Sequence, residues 1–192
     1  MSAMAELRLA TWPSHQRLER HLDIKSRFAD LAAYKAHIEQ MWGFCAALEQ
    51  ALSQEYFGAV LADYERRRKA PILAQDLAAL GVTQRTLAGL PRCAAIPSWN
   101  DAAGALGCVY VLEGASLGGR TLLPVVERQL GLRACSGAAF LASYGEEVGA
   151  MWRKFGSSVD AWCDTAERRA RATRAAVATF DALSLWLVGC AA

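Results

Sequence analysis

Apolar residues recur at steps of three and four along most of this chain, and this spacing restricts its fold more than any other feature. Between residues 28 and 51 the series consists of Leu31, Tyr34, Ile38, Met41, Phe44, Cys45 and Leu48. Such a series places one apolar stripe along a helix. Strong helix formers dominate elsewhere, and runs of alternating β-branched residues do not occur. The pattern predicts an all-α fold.

Capping residues, glycines and prolines predict where the helices begin and end. The expected helices cover residues 13–22, 28–51, 58–80, a segment opened by Ser98 and Asp101 that runs to Leu130, and then 137–156 and 158–188. Thr11 is the expected N-cap of the first helix, with Pro13 in its first turn. Pro71 is expected to break or kink the third. We therefore expect a single bundle-like domain over residues 1–192.

Charge and hydropathy exclude several functional classes. The net charge is only +2, the basic residues are dispersed, and no aromatic-basic RNA motif is present, so a nucleic-acid partner is not expected. No uninterrupted apolar run reaches the ~18–20 residues that span a bilayer, and Glu6 and Arg8 interrupt any apolar leader. We expect no membrane partner and a cytoplasmic location. The basic run at residues 66–69 favours a solvated helix face over a docking patch for an acidic electron donor.

The cysteines give no sign of a metal or disulfide framework. They are scattered through the chain and form no C-x-x-C pair. Their positions are Cys45, Cys93, Cys108, Cys135, Cys163 and Cys190. We expect buried, reduced side chains, in preference to disulfides.

His15 and Glu19 lie four residues apart and therefore share one face of a helix. That spacing suits an imidazole that binds a metal through one nitrogen while a carboxylate orients it through the other. A lone histidine on a mixed face is more often a structural residue, and both interpretations remain open for His15. His21 is rotated away from this face, and His37 is expected to be solvated.

Three glycines interrupt the fourth predicted helix at Gly114, Gly118 and Gly119. Each interior glycine costs a helix ~0.5–1 kcal/mol relative to alanine, so the group needs a compensating reason. Gly114 and Gly118 expose backbone on one face, where another object can approach closely. The alternative is a helix–helix contact or a kink, with Pro124 adding a second bend.

Two motifs together resemble the bacterial haem oxygenase family, and in particular the branch found with bacteriophytochromes. They are L-R-x-A-T-x-x-x-H-x-x-L-E at residues 7–19 and Y-V-L-E-G-A-S-L-G-G at residues 110–119. Residues 143–153 are also similar to a later helix of the family, so the likeness covers most of the chain.

The resemblance implies a haem oxygenase-like bundle in which haem b lies between a proximal helix and a kinked distal helix. His15 would be the proximal iron ligand, and Glu19 its orienting partner. Gly114, Gly118 and Gly119 would belong to the distal helix, where missing side chains let the backbone approach the haem.

Further residues match the family less completely. Arg8 and Arg153 would place basic side chains near the haem propionates, and a solvated role is the alternative for both. Arg120 is a weaker candidate for this role. Ala115 stands where mammalian relatives carry an aspartate that holds the distal water network, and Ser116 is the nearest polar side chain.

The implied activity is oxidative cleavage of haem to biliverdin, carbon monoxide and ferrous iron. It uses O2 and electrons from a ferredoxin or flavoprotein reductase, because no flavin or nicotinamide motif is present. Two biological purposes stay open: supply of biliverdin to a bacteriophytochrome as its chromophore, and recovery of iron from haem. Two alternatives stay open: a non-catalytic haem carrier or sensor on the same fold, and a thiaminase-like relative that binds a different ligand on the same helices.

Overall fold

Residues 1–52, 57 and 60–189, which the computed structural model describes, form ten α-helices and one 3-10 turn. In chain order these are α1 (Ala3–His21), α2 (Ile24–Arg27), α3 (Leu31–Ala51), α4 (Tyr64–Arg67), α5 (Ala70–Ala79), α6 (Gln84–Gly89), α7 (Ala102–Leu130), α8 (Ala139–Ala142), the 3-10 turn (Gly145–Glu147), α9 (Val148–Trp162) and α10 (Ala166–Gly189). Helices make up 76% of the described residues, and no strand occurs among them. The all-α prediction is confirmed.

The first helix is much longer than the sequence predicts. α1 begins at Ala3 instead of residue 13, with Ser2 as its N-cap, and Pro13 lies inside it. An interior proline costs ~3 kcal/mol or more, so other contacts must offset it. Residues Ala3, Leu7, Thr11 and Ser14 supply them, since all four are buried along one stripe. Thr11 is therefore a buried residue of the helix and not its cap.

α3 and α7 lie close to their predicted positions. The side chain of Asp30 accepts a hydrogen bond of 2.8 Å from the Ala33 amide, so α3 begins at Leu31 and not at residue 28. Asp101 caps α7 in the same way, and Ser98 lies outside the helix. α7 ends at Gly131, whose left-handed φ of 68° suits glycine.

The prediction of one helix over residues 58–80 is wrong where the structure describes it; residues 58 and 59 lie outside the described ranges. The chain leaves the helical path after Arg67 and resumes it at Ala70, with Pro71 in the first turn of α5.

The prediction of a solvated basic face at residues 66–69 is also wrong for two of its members. Arg67 and Lys69 are both 1% exposed, because they turn inward to buried carboxylates.

The C-terminal part differs from the predicted helices 137–156 and 158–188. α8 stops at Ala142, and the next residues include two with positive φ, Ser143 at 47° and Gly145 at 56°. Since the left-handed region cannot continue a right-handed helix, α9 begins only at Val148. α9 then runs to Trp162, past the predicted boundary at residue 157.

His37 is buried, contrary to expectation. It is 5% exposed, and its ring packs edge-on against Phe28. Its Nδ1 lies 3.2 Å from the Arg27 guanidinium. Burial, and secondarily the charge of Arg27, lowers the pKa of His37 to about 3. The ring is therefore a neutral core residue.

Four cysteines, Cys45, Cys93, Cys108 and Cys163, are buried and reduced as predicted. Cys135 is exposed instead. Cys190 lies outside the described residues.

α10 supports both α1 and α7, and its contacts with these two helices are the most extensive in the described fold. A Cβ on Gly107 would come within 2.1 Å of the Ala172 carbonyl oxygen, so α7 and α10 touch through backbone. By length and composition α7 could cross a membrane, but 72% of its most apolar window is buried, as in the core helix of a globular protein. α1 and α7 thus both pack on α10.

Candidate functional site

A cleft of about 490 Å³ lies between α1 and α7. α9 contributes Trp152 to its wall, and α10 contributes Phe180 and Leu183. Its complete lining is Arg8, Thr11, Trp12, His15, Leu18, Glu19, Tyr110, Val111, Gly114, Ala115, Leu117, Gly118, Thr121, Trp152, Phe180 and Leu183. The lining is mainly apolar, with the ionisable side chains supplied mostly by α1. Such a pocket suits a largely apolar ligand that is oriented by a few polar groups.

His15 lies on the α1 wall, held between two aromatic rings. The Trp12 ring stacks on it at a centroid distance of 6.0 Å and an angle of 8°. The Phe180 ring meets it edge-on at 5.8 Å. These contacts fix the plane of the imidazole, while the side chain as a whole stays 44% exposed. His15 is thus presented to the cleft with its orientation set.

The two nitrogens of His15 have different surroundings. Nδ1 is buried, and no described residue lies within hydrogen-bonding distance of it. Glu19 approaches Nδ1 most closely as an ion partner, with 3.6 Å between Nδ1 and Oε2, which is longer than a hydrogen bond. Since Nδ1 is buried, the 44% exposure of the side chain comes from its other atoms, and Nε2 is the remaining nitrogen. A small movement of Glu19 would occupy Nδ1 and leave Nε2 as the nitrogen that binds a metal.

The opposite wall, formed by α7, exposes bare backbone at two glycines. Gly114 and Gly118 line the cleft, and a Cβ added to either would meet nothing within 4 Å. No neighbouring helix therefore requires glycine at these two positions. The structure places the two glycines and His15 around the same cleft, as predicted, and the bare wall leaves room for a flat ligand beside the imidazole.

Gly119 lies elsewhere. It is buried outside the cleft lining, and a Cβ there would come within 2.5 Å of the Leu141 carbonyl oxygen and 3.1 Å of the Leu141 Cα. Gly119 thus permits the close packing of α7 on α8. The sequence alone could have indicated that Gly118 and Gly119 face different neighbours, because consecutive residues of a helix point about 100° apart.

Ser116 also lies outside the cleft. It is 2% exposed, and its Oγ is buried without a hydrogen-bond partner among the described residues. Ala115 lines the cleft in its place and offers no polar group. The α7 wall near the glycines therefore carries no ionisable side chain that could hold a proton.

Arg8 is the basic residue that lies at the cleft. It lines the mouth of the cleft beside Thr11 and Tyr110. Burial raises the pKa of the Tyr110 hydroxyl, which shares a hydrogen bond with Thr11 and lies near enough to Arg8 to be affected by its charge. These three groups form the polar rim on one side of the cleft.

Arg153 and Arg120 are exposed and do not line the cleft. The Arg153 guanidinium lies back along its own helix, with a nitrogen 3.5 Å from the position of a Cβ on Gly149. From α9 it is the preceding residue, Trp152, that reaches the cleft. Tyr110 and Phe180 are further lining residues that sequence reasoning missed.

Thr11 and Trp12 carried a signal that could have been found, because they precede His15 by four and three residues and share its helix face. Phe180 and Trp152 carried none, since only the tertiary packing of α9 and α10 brings them to the cleft.

Comparisons with known proteins agree with this geometry. The sequence profile of the family described as Heme oxygenase matches residues 1–187 of the chain. A protein named Heme oxygenase from Xanthomonas campestris pv. campestris (strain 8004) is 30% identical over 152 residues, which are 79% of this chain and 86% of that protein.

Two solved structures have the same arrangement of helices. The heme oxygenase of Neisseria meningitidis, solved in NO- and CO-bound forms, aligns with a TM-score of 0.76 at 19% identity, over 97% of this chain and 90% of that one. The heme oxygenase of Leptospira interrogans aligns with a TM-score of 0.78 at 17% identity, over 98% of this chain and 100% of that one. At such identities the likeness shows the fold.

Proposed function

Because this chain belongs to the haem oxygenase family, it is a haem-degrading enzyme, and we propose that it binds haem b in the cleft between α1 and α7. The products are biliverdin, carbon monoxide and ferrous iron, formed with O2 and externally supplied electrons. His15 is the iron ligand. One observation carries this proposal: an oriented imidazole and a wall of bare glycine backbone border the same apolar cleft.

The residues present fit a haem. Among the described residues, Glu19 is the carboxylate that lies near the buried Nδ1 of His15, where it can accept the Nδ1–H and leave Nε2 for iron. A Cβ on Gly114 or Gly118 would project into open space, so the cradle exists only because both side chains are absent. The haem, when bound, supplies the iron that activates O2.

The protein's own contribution is orientation and exclusion of water. Trp12 and Phe180 hold the imidazole plane, which restricts rotation of the ring about the metal bond. Val111, Leu117 and Leu183 cover the cleft with apolar surface. Because Ala115 offers no acid, a proton near the α7 wall must travel through water held by backbone groups.

The polar rim is the proposed site of the haem propionates. Arg8 lies at the cleft beside Tyr110, and a guanidinium pairs well with a carboxylate. Arg153 would have to swing away from Gly149 to reach the same region. We therefore assign the stronger propionate contact to Arg8.

The reductant is a separate protein, a ferredoxin or a flavoprotein reductase, and the enzyme works in the cytoplasm. A bacteriophytochrome that takes up the biliverdin is the proposed recipient. Supplying purified ferredoxin and measuring its oxidation together with biliverdin release tests the first of these partners.

Aerobic turnover of the purified protein tests the activity. Haemin is added first, then ascorbate, and the Soret band and the biliverdin band are followed together. We expect the Soret band to decay while the biliverdin band rises, and His15→Ala to lose most of this turnover. His21→Ala is the matched control, since His21 is exposed on the same helix outside the cleft. Stable haem binding without biliverdin would identify a carrier or sensor, and the absence of any Soret band would point to a different ligand.

A further inference from the structure

A cluster of buried charges lies beside the glycine wall but outside the cleft. Its centre is Glu113, which immediately precedes Gly114 in α7 and whose side chain is 1% exposed. The cations Arg67 and Lys69 reach this carboxylate from the two sides of the break between α4 and α5. Neither cation belongs to the cleft lining, and the proposed function does not use them.

Every partner of the Glu113 carboxylate is itself held in place. Oε1 accepts hydrogen bonds from Lys69 Nζ at 2.9 Å and from the Tyr144 hydroxyl at 2.6 Å. The Tyr144 hydroxyl in turn accepts one from Lys69 Nζ at 2.9 Å, so these three groups close a ring. Oε2 accepts from Arg67 at 2.6 Å. Both oxygens of Glu113 are thus fixed by groups from other elements.

Arg67 connects α4 to both α7 and α9. Its NH1 donates to Glu113 Oε2 on α7 and also, at 3.2 Å, to the carbonyl oxygen of Met151 on α9. Its Nε and NH2 donate to the two carboxylate oxygens of Asp63 at 2.8 and 3.0 Å. The planar guanidinium can bond in these directions at once, which an ammonium cannot. Asp63 and Glu113 oppose the charges of Arg67 and Lys69, and Asp63 also pairs with the exposed Lys154 at 2.9 Å.

The two elements that Arg67 connects both form walls of the cleft. Glu113 is followed by Gly114, and Met151 is followed by Trp152; the second residue of each pair lines the cleft. The Arg67 guanidinium therefore bonds to Glu113 and Met151, the residues that directly precede the lining residues Gly114 and Trp152. We propose that Arg67 is a positioning residue that fixes the distance between the glycine wall and Trp152, and so the seat of the ligand. This inference rests on the proposed function for the identity of that ligand.

Stability alone gives a poor account of this cluster. Buried ion pairs lose solvation, and apolar side chains of similar volume commonly hold helices together at least as well. What short, charge-assisted bonds add is a defined direction and length, which dispersion contacts lack. The residue before Tyr144 is also strained: Ser143 has a left-handed φ of 47°, and Tyr144 supplies the hydroxyl that bonds to Glu113.

Arg67→Lys tests the proposal, because it keeps the charge and removes the fork. Tyr144→Phe is a milder second variant, which removes the hydrogen bonds of the hydroxyl to Glu113 and from Lys69 without unbalancing the charges. Arg66→Lys is the matched control, since Arg66 is exposed in a surface ion pair with Glu147. In the haem-free proteins, amide hydrogen exchange is measured at residues 114–118 and in the middle of α10. We expect Arg67→Lys to speed exchange at residues 114–118 at least tenfold, with α10 and the control unchanged.

The haem-loaded proteins supply a second measurement. Haem has four meso carbons, so the ratio of biliverdin isomers reports how the ligand sits between the walls, independently of how much protein is folded. We expect Arg67→Lys to alter this ratio or to lower kcat at least fivefold at unchanged KM, with a smaller effect in Tyr144→Phe. The proposal would be overturned if Arg67→Lys changed the exchange rate of residues 114–118 no more than that of α10 and also left the isomer ratio and kcat unchanged. The cluster would then be purely structural. If the wild type formed no biliverdin, the proposed function would fail instead, and the exchange experiment would still decide whether Arg67 fixes the glycine segment.

Discussion

The adjacent glycines Gly118 and Gly119 serve different purposes, and an alanine at each should have opposite effects on stability. A Cβ at position 118 meets nothing within 4 Å. A Cβ at position 119 comes within 2.5 Å of the Leu141 carbonyl oxygen, which is backbone and cannot turn aside. Both positions lie inside α7, so both variants gain the same helix propensity of about 0.5–1 kcal/mol.

The difference between the two variants therefore isolates the clash. Overpacking in a tightly packed interior costs about 1–3 kcal/mol. We expect Gly118→Ala to raise the free energy of unfolding of the haem-free protein by up to about 1 kcal/mol. Gly119→Ala should lie about 1–3 kcal/mol below Gly118→Ala, which corresponds to a difference in Tm of about 2–12 °C for a chain of this length.

Thermal and urea unfolding of the haem-free proteins, followed by circular dichroism, measure this difference. Haem binding should show the reverse order of effects, since the Cβ at position 118 projects into the cleft. Gly118→Ala should thus be the more stable protein and the poorer haem binder, and Gly114→Ala should behave in the same way. The reasoning is refuted if Gly119→Ala is as stable as Gly118→Ala, or if Gly118→Ala binds haem as tightly as the wild type.

Three further predictions concern charges. Because the pKa of His37 is lowered to about 3 in the folded protein, against 6.5 in the unfolded chain, its contribution to stability is intact above pH 6.5 and is lost as the pH falls toward 3. Relative to His37→Gln, the wild type should lose about 2 kcal/mol between pH 7 and pH 5, measured by urea unfolding, and parallel pH profiles would contradict this. Glu113→Gln leaves two buried cations without their shared carboxylate and should lower the free energy of unfolding by about 3–5 kcal/mol, whereas a loss below ~1 kcal/mol in urea titrations would show that the pair is not buried as described. Glu19→Gln keeps the shape of the partner of His15 but not its charge, so the iron–imidazole stretching band of the ferrous haem complex should move to lower frequency, and an unchanged band would remove Glu19 from the site.

The helix pattern could be predicted from the sequence wherever local signals decide it. α7 is one such element, because Asp101 caps its start and Gly131 ends it in the left-handed conformation. α1 is the opposite case: Pro13 indicates a helix start locally, and only burial of the stripe through Leu7 carries the helix across it. The pair of Arg67 with Asp63 is local, but nothing local marks Arg67 as buried, since its buried partner Glu113 is contributed by α7.

In the candidate site, too, some features follow from local sequence signals and others only from the packing of the helices. The spacing of Gly114 and Gly118 and the surroundings of His15 left other interpretations open, and the family resemblance placed them on two walls of one cleft. Arg153 and Ser116 were expected beside them, yet each points away from the cleft because its neighbour, Trp152 or Ala115, occupies the lining position. A motif identifies a segment, but the rotation of the helix decides which member of the segment faces the ligand.

Identifying the iron ligand tests the central claim most directly. The resonance Raman spectrum of the ferrous haem complex carries an iron–imidazole stretching band, and this chain has three histidines that could give it. We predict that the band is present in the wild type and in His21→Ala, absent in His15→Ala, and restored to His15→Ala by added imidazole. An undiminished band in His15→Ala would contradict the account, because the haem would then be held by a histidine outside the cleft between α1 and α7.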